Sequence, residues 1–304
     1  MKRSHALLLV FIRNTPHLEL LLSILMFALG SGVAQYLGKP VNWVVFLLGQ
    51  AWVLLILISC YFLKAYYDRV DFPNRQANTP GDNRDDCLPS EIEHKALLQA
   101  GLTTLCIAAV ITVLLYSEHV ITPLTMLFLC LIIILAFSYA MPPLRLAHSG
   151  YGELLISILI ANIIPAIALI LQTKEFHPIL GTLTFPFTAL LLATAIARTL
   201  PTYAHDTKCL RYTLLTRLGW QRGMSFHNIL IIATYFLLGL AILQGLPWKL
   251  VSTGFLTLPI GAFQIWLMVQ IGSGSKPRWK LLSLTSLALV ILTMYFITFS
   301  LWTE

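Results

Sequence analysis

The sequence has very few charged residues. Asp, Glu, Lys and Arg make up 11% of its 304 residues, whereas 58% are hydrophobic and the mean hydropathy is +0.80. Soluble domains carry charge on about a quarter of their residues. The composition therefore excludes an ordinary soluble enzyme and predicts a polytopic membrane protein.

Paired cysteines are also missing. The five cysteines stand singly, with no Cys-x-x-Cys pair and no His spacing of the zinc-site type, at Cys60, Cys87, Cys106, Cys130 and Cys209. We interpret them as small apolar residues of membrane helices. Low-complexity tracts, short-period repeats and a soluble domain are absent as well, so residues 1–304 are predicted to form a single membrane-embedded domain.

The N-terminal segment lacks the small-residue cleavage site of a signal peptide. Arg13 also interrupts its apolar stretch, so we do not interpret this segment as a cleaved signal peptide. We predict that residues 1–17 form an amphipathic lead-in at the membrane surface.

Long apolar runs dominate the rest of the chain. A membrane-spanning helix needs about 20 apolar residues, and nine segments qualify. They are 18–38, 42–63, 97–116, 121–140, 153–172, 179–201, 228–244, 248–270 and 281–302.

The distribution of positive charge predicts the orientation in the membrane. With the N-terminus inside, nearly all Lys and Arg residues fall on one face, and only Lys39, Lys174 and Lys249 fall on the other. By the positive-inside rule, the N-terminus and the long polar loops are cytoplasmic. We expect an integral multi-pass protein of a bacterial inner membrane. The net charge of +7 is then a topology signal that needs no nucleic-acid partner.

Two helix ends on this face carry acids and bases together. In KAYYDRVD, Asp68 and Asp71 lie on one helical face with Lys64 one turn earlier. In RTLPTYAHDTK, a polar stripe spaced by four residues runs from Arg198 to Asp206, and Pro201 is expected to bend the helix. Single charges at such positions often reach only for the headgroups, but the paired acid and base residues favour a binding site.

Clustered carboxylates at a membrane interface favour a hard cation such as Mg²⁺, which bridges protein carboxylates to phosphate oxygens. A diphosphate would also need fixed positive charge, and Arg145, Lys208 and Arg211 lie on the appropriate face. The apolar helices would hold the hydrophobic part of the same substrate.

These stretches resemble motifs of the UbiA superfamily of intramembrane prenyltransferases, over nearly the whole chain. KAYYDRVDFPNRQ followed by CLPSEI is similar to NDxxDxxxD followed by NRPxRPLPSGxI, with one residue lost between Asp68 and Asp71. YAMPPLRL resembles the Tyr and Pro-Pro-x-(Arg/Lys) element, and GYGELLISILIANIIPA resembles the helix that follows it. RTLPTYAHDTKCLRYTLLTRLG is similar to NxxxDxxxD leading to GKxTLxxxLG.

The resemblance implies an all-α bundle of about nine transmembrane helices around a central cavity. It implies that Mg²⁺ held by two aspartate motifs binds an isoprenyl diphosphate, and that an acceptor carbon attacks the allylic cation left by ionisation. Asp68, Asp71 and Asp206 would be the catalytic metal ligands. The diphosphate-binding residues would be Lys64, Arg145, Arg198, Lys208 and Arg211, and the substrate-lining residues Tyr66, Tyr67 and Tyr139.

The sequence departs from the family pattern symmetrically. Lys64 and Ala65 replace Asn and Asp of the first motif, and Arg198 and Thr202 replace Asn and Asp of the second. The formal charge of the site is therefore about four units more positive than in the family pattern, which weakens cation binding. An acidic loop with Asp82, Asp85 and Asp86 would supply carboxylates if it covered the cavity.

Several functions remain open at this point. In an active enzyme, Lys64 and Arg198 would contact the diphosphate directly. In a protein that only binds a prenyl lipid or a membrane partner, Lys64 would pair with Asp68 and Arg198 with Asp206. A terpene cyclase would share the ionisation step, whereas a transporter or channel would have ionisable groups in mid-span, which the sequence lacks. The helix beginning GYGELL most resembles that of the branch that prenylates a dihydroxynaphthoate, and this resemblance implies an aromatic quinone precursor as the acceptor.

Overall fold

The computed structural model describes residues 16–71, 90–209 and 211–303, without the side chains of residues 69–71 and 90–93. The lead-in is therefore outside the description up to residue 15, as is the acidic loop with Asp82, Asp85 and Asp86. The described α-helices are α1 His17–Tyr36, α2 Trp43–Asp71, α3 Ser90–Ser117, α4 Pro123–Ala140, α5 Gly152–Ile158, α6 Ile164–Thr173, α7 Ile179–Thr199, α8 Tyr203–Lys208, α9 Leu214–Leu218, α10 Trp220–Leu243, α11 Trp248–Phe255, α12 Leu258–Gly272 and α13 Trp279–Thr303.

Within the described residues, these helices form nine spans of sufficient length and hydropathy to cross a bilayer. The spans are His17–Tyr36, Trp43–Asp68, His94–Ser117, Pro123–Ala140, Gly152–Thr173, Ile179–Lys208, Trp220–Leu243, Trp248–Gly272 and Trp279–Thr303. A spanning helix satisfies its backbone polar groups internally, which the hydrocarbon region requires. The prediction of an all-helical, multi-pass membrane protein is confirmed.

The seventh span differs most from its predicted bounds, since its helix begins at Trp220 and not near residue 228. Its first two turns carry polar side chains that lower the local hydropathy. His227 is fully buried, and its Nδ1 lies 3.0 Å from Asn228 Oδ1. Its Nε2 lies 3.5 Å from Gln264 Nε2 of the eighth span. Polar atoms satisfied inside the bundle allow the helix to continue where a hydropathy count ends it.

The first, fifth and sixth spans form the centre of the bundle. About two thirds of the fifth span is buried within the protein, against 17% of the third span at the periphery. A Cβ atom on Gly30 of the first span would lie 2.2 Å from the carbonyl oxygen of Pro165 in the fifth. Glycine therefore permits the close approach of these two backbones.

Two of these central spans, the fifth and the sixth, change helix type along their length. The fifth span passes through a π-helical turn at Leu159–Ile163 between α5 and α6. The sixth span passes through a 3-10 turn at Leu200–Thr202 between α7 and α8, where Pro201 has no backbone N–H to continue the α-helical bonding. Asn162 of the π turn bonds the hydroxyls of Thr184 and Thr188, which fixes the fifth span against the sixth.

Candidate functional site

A cavity of about 340 Å³ opens where the first span begins, the second ends, the fifth begins and the sixth ends. Its volume is within the usual range of small-molecule sites, about 300–1,000 Å³. Six ionisable acid and base side chains line it: Glu19, Glu153, Asp206, Lys64, Arg198 and Arg211. The aliphatic side chains of its wall are Leu18, Leu22, Ile156, Ile160 and Leu191. The cavity thus combines a charged end with an apolar wall.

Asp206 is the most deeply buried of these carboxylates, at 2% exposure. The 3-10 turn brings Thr202 one turn before it, and the Thr202 hydroxyl donates a 2.7 Å hydrogen bond to Asp206 Oδ2. Arg211 Nη1 lies 3.7 Å from Oδ1. The Arg211 backbone N–H also donates to the Asp206 carbonyl oxygen, at 2.9 Å. Both carboxylate oxygens therefore face a partner.

Asp68 is surrounded by three basic groups from two segments. Lys64 Nζ, one turn earlier on α2, lies 3.0 Å from Oδ2. His148 Nε2 lies 2.6 Å and Arg145 Nη2 3.6 Å from Oδ1. The side chains of this cluster are between 16% and 22% exposed. Lys64 lines the cavity, whereas Asp68 and Arg145 do not.

The segment after α4 positions Arg145 and His148. Arg145 adopts the left-handed region, with φ of 41°, at the start of the 3-10 turn Leu146–His148. This conformation is uncommon for residues other than glycine and persists only where surrounding contacts hold it. A Cβ atom on Gly152 would lie 2.8 Å from Ala147 Cα, so glycine lets α5 begin directly against this turn. The close packing of α5 against this turn thus holds Arg145 in its strained conformation beside Asp68.

Arg198 pairs with the first span. Its Nη1 lies 3.7 Å from Glu19 Oε1 in the first turn of α1, and the Arg198 side chain is 42% exposed. The sequence-based alternative had Arg198 paired with Asp206. The structure corrects it, because Asp206 takes Thr202 and Arg211 as partners and Arg198 points to Glu19. Lys64 does pair with Asp68, as that alternative predicted.

Glu153 fastens the loop that carries Arg211. Its Oε2 accepts a 3.3 Å hydrogen bond from the backbone N–H of Leu214, the first residue of α9. Thr213 caps the same helix with its side chain. These hydrogen bonds hold the backbone of the loop. The Arg211 side chain itself is 56% exposed.

The remaining predicted site residues have other positions. Tyr139 lines the cavity with Tyr61, their rings 5.8 Å apart. Tyr66 stacks on His94 at 4.0 Å, and Tyr67 lines a separate apolar groove, so neither borders the cavity. A helix turns each successive side chain by about 100°, so Tyr66, two residues after Lys64, points away from the face of Lys64.

Lys208 is exposed at the end of α8 and does not line the cavity. The backbone of Asp71 ends α2, but its side chain lies outside the described part of the chain.

Four residues of this region were missed by the sequence reasoning. They are Glu19, Tyr61, His148 and Glu153. Glu19 and Glu153 share a recognisable signal, because each is a single acid in the first turn of an apolar span. His148 follows the Pro-Pro element by only a few residues, but its contact with Asp68 depends on the fold.

The described donors do not fit a Mg²⁺ ion as they are arranged. Mg²⁺ takes oxygen ligands at about 2.0–2.1 Å in a nearly octahedral geometry. Each oxygen of Asp68 and Asp206 faces a hydrogen-bond donor or a base. Within the described residues, no three or more His, Cys, Asp and Glu side chains group in a way that could hold a metal.

The sequence matches no family model and no curated protein. Solved structures do match. A digeranylgeranylglyceryl phosphate synthase aligns with 100% of this chain and 99% of its own, at a TM-score of 0.65 and 13% identity. A UbiA homologue from Archaeoglobus fulgidus bound to Cd²⁺ aligns over 95% of this chain and 99% of its own, at a TM-score of 0.62 and 14% identity.

The chain has the UbiA fold. The same Archaeoglobus protein bound to DMAPP and Mg²⁺ aligns at a TM-score of 0.60 and 16% identity, over 94% of this chain and 98% of its own. Alignment over nearly full lengths at such low identity shows that the chains share the helix bundle and its topology. A shared fold does not specify a reaction, which depends on the residues of this chain's own cavity.

Proposed function

We propose that this chain is a divergent member of the UbiA superfamily that transfers an isoprenyl group from an isoprenyl diphosphate to an acceptor within the membrane. One observation carries the proposal. A single cavity presents Lys64, Arg198 and Arg211 at its charged end and aliphatic side chains along its wall. This arrangement matches an amphiphile with an anionic head and a hydrocarbon tail. The solved UbiA homologue bound to DMAPP supports the substrate class.

The reaction would proceed by ionisation. The C–O bond of the isoprenyl diphosphate breaks, the diphosphate leaves with the electron pair, and an allylic cation remains. The bases stabilise the charge that develops on the leaving group. Tyr61 and Tyr139 line the cavity, where the faces of their rings would stabilise the cation. An aromatic ring carbon of the acceptor then attacks the cation, and the ring loses a proton.

The acceptor we propose is an aromatic quinone precursor of the dihydroxynaphthoate type. Its support is the sequence of the fifth span, which begins GYGELL. We also propose that the polar loops and this end of the cavity face the cytoplasm. Mg²⁺ with Asp68, Asp71 and Asp206 as ligands stays a prediction from the sequence, and no step is assigned to it because the described donors do not fit it.

The test is pyrophosphate release by the purified full chain. It is measured with prenyl diphosphates of increasing length, each with and without dihydroxynaphthoate, and products are identified by mass. Arg211→Gln should lower kcat/KM by about 10-fold or more, since a hydrogen bond to a charged group is worth ~1.5–3 kcal/mol. Arg222→Gln is the matched control, because Arg222 is an exposed base that does not line the cavity.

A protein that only binds prenyl lipids is the second candidate. It is favoured by the 3.0 Å contact between Lys64 Nζ and Asp68 Oδ2, which closes the end of α2 as an internal ion pair. Tight binding of prenyl diphosphates with no release at any chain length or with any acceptor would support it. Cyclic hydrocarbon products formed without acceptor would instead indicate a cyclase.

A further inference from the structure

The two arginines of the cavity are loosely held. Arg198 and Arg211 each lie 3.7 Å from their carboxylate partners, which is beyond the usual limit of about 3.2 Å for a hydrogen bond. Their side chains are 42% and 56% exposed, and exposed ion pairs contribute little stability. A phosphate group offers a guanidinium two parallel, charge-assisted hydrogen bonds. A diphosphate in the cavity would therefore capture both guanidinium groups from their present partners.

Asp68 is held more tightly than the arginines, and by two basic side chains that would repel a cation. Asp68 has hydrogen-bonding contacts at 3.0 Å and 2.6 Å, one on each oxygen. Asp206 receives the Thr202 hydroxyl on one oxygen and faces Arg211 with the other. A divalent ion at Asp68 would have to displace Lys64 or His148 and would lie beside the remaining bases. Like charges at such distances repel strongly in a partly buried site.

The formal charges lead to the same conclusion. Among the described residues, the cavity is lined by three acids (Glu19, Glu153, Asp206) and three bases (Lys64, Arg198, Arg211), whose formal charges cancel before any ligand binds. The substitutions at Lys64, Ala65, Arg198 and Thr202 make it four units more positive than the family pattern. Four positive charges equal those of two divalent cations. The protein's own side chains thus supply the charge that an acid-rich site would take from metal ions.

We infer that Lys64, Arg198 and Arg211 bind the diphosphate of the prenyl substrate directly, and that this binding requires no divalent cation. The inference rests on the proposed function, because it concerns the same cavity and the same substrate class. Asp68, Asp206 and Glu19 orient the bases and compete with the diphosphate for them.

The experiment measures binding of geranylgeranyl diphosphate and of inorganic pyrophosphate to the full chain in lipid nanodiscs, by calorimetry. Each titration is run in excess EDTA and in excess Mg²⁺. We expect the dissociation constant for geranylgeranyl diphosphate to agree within about 3-fold between the two conditions. In EDTA, Arg198→Gln and Arg211→Gln should each weaken binding by about 10-fold or more. Arg222→Gln, which changes an exposed base outside the cavity, should leave the constant unchanged.

A second variant should change the affinity in opposite directions at a metal-independent site and at a metal-dependent site. Asp206→Asn keeps the size of the side chain and an oxygen for the Thr202 hydroxyl. It should leave binding in EDTA unchanged or up to about 5-fold tighter, because it removes a carboxylate that competes for Arg211. At a metal-dependent site the same variant would weaken binding measured in Mg²⁺.

The outcomes separate the inference from the proposed function. Binding that appears only with Mg²⁺ overturns the inference and leaves the proposed function standing. Binding in EDTA that survives loss of both Arg198 and Arg211 also overturns the inference. No binding of any prenyl diphosphate in either condition overturns both.

Discussion

Arg198 near the end of the sixth span and Glu19 in the first turn of the first span form an ion pair beside the cavity, with 3.7 Å between Nη1 and Oε1. Glu19→Gln removes the competing carboxylate and leaves Arg198 free to bind an anion. We predict geranylgeranyl diphosphate binding to become about 2- to 5-fold tighter, since exposed pairs are worth ~0–1 kcal/mol. Calorimetric titration measures the change.

The matched control is Glu175→Gln, because Glu175 is exposed in the connection after the fifth span and does not line the cavity. It should leave the dissociation constant unchanged. Weaker binding in Glu19→Gln would show that Glu19 holds Arg198 in its binding position and does not compete with the ligand.

Asp68→Asn should destabilise the protein. Lys64, Arg145 and His148 surround Asp68, and an amide would leave positive charges close together without a carboxylate. Removing one partner costs ~3–5 kcal/mol in a fully buried pair and ~0–1 kcal/mol in an exposed one. For a side chain that is 22% exposed, we expect a loss of about 1–3 kcal/mol. Thermal unfolding in detergent measures it.

A double-mutant cycle with Lys64→Met tests whether that loss arises from the charge of Lys64. In the Lys64→Met background, Asp68→Asn should cost at least ~0.5 kcal/mol less than in the original chain, because one of the crowded bases is gone. Equal losses in both backgrounds would assign the effect to His148 and Arg145 alone.

Ala195→Trp should affect the apolar part of the cavity and leave its charged end unchanged. Ala195 lines the cavity three residues before Arg198, beside the aliphatic wall. A bulky side chain there would occupy the space for a hydrocarbon tail and leave the bases in place. We expect geranylgeranyl diphosphate binding to fall by at least ~10-fold while inorganic pyrophosphate binding stays within about 3-fold.

Ala195→Ser is the size-conserving control and should bind both ligands as the original chain does. Equal loss of both ligands in Ala195→Trp would indicate that the larger side chain disrupts the fold, which thermal unfolding would reveal. Equal retention of both would place the tail elsewhere in the bundle.

Binding of a prenyl diphosphate should depend on salt, because three bases recognise its head group. Raising the salt concentration from about 0.1 M to about 1 M shortens the Debye length from ~10 Å to ~3 Å. We predict several-fold weaker binding of geranylgeranyl diphosphate. Geranylgeraniol has the same tail without charge and should bind independently of salt. Parallel salt dependence of both ligands would contradict recognition by these bases.

Gly30→Ala should destabilise the bundle by about 1–3 kcal/mol, the usual cost of overpacking a well-packed core. The added Cβ atom would lie 2.2 Å from the Pro165 carbonyl oxygen, so the first and fifth spans would have to separate. Gly239→Ala is the control, because a Cβ atom there has no neighbour within 4 Å in the described structure. Thermal unfolding of both variants in the same detergent measures the difference.

The spans could be predicted from the sequence because a membrane helix needs little more than length and hydropathy. The seventh span was predicted too short, since buried contacts of His227 with Asn228 and Gln264 are invisible to a hydropathy count. The placement of Arg198 and Asp206 near one cavity followed from helical spacing on a single span. Their partners could not be predicted in the same way.

Glu19 shows why. It stands 179 residues before Arg198 in the chain, and only the tertiary fold, which places the start of the first span and the end of the sixth at one cavity, brings the two together. His148 reaches Asp68 through a left-handed turn at Arg145, a conformation that no local pattern specifies for arginine. Single-span geometry is encoded locally, whereas the choice of ion-pair partner depends on tertiary structure.

The fixed backbone of Arg211 bears on how fast a substrate is captured. The Arg211 backbone N–H is bonded to Asp206, and Leu214 after it is bonded to Glu153. Only the guanidinium group has to move, and exposed side chains change rotamer in picoseconds to nanoseconds. Under the proposed function, capture of a diphosphate by Arg211 therefore requires rotation of its side chain and no movement of the described backbone around it.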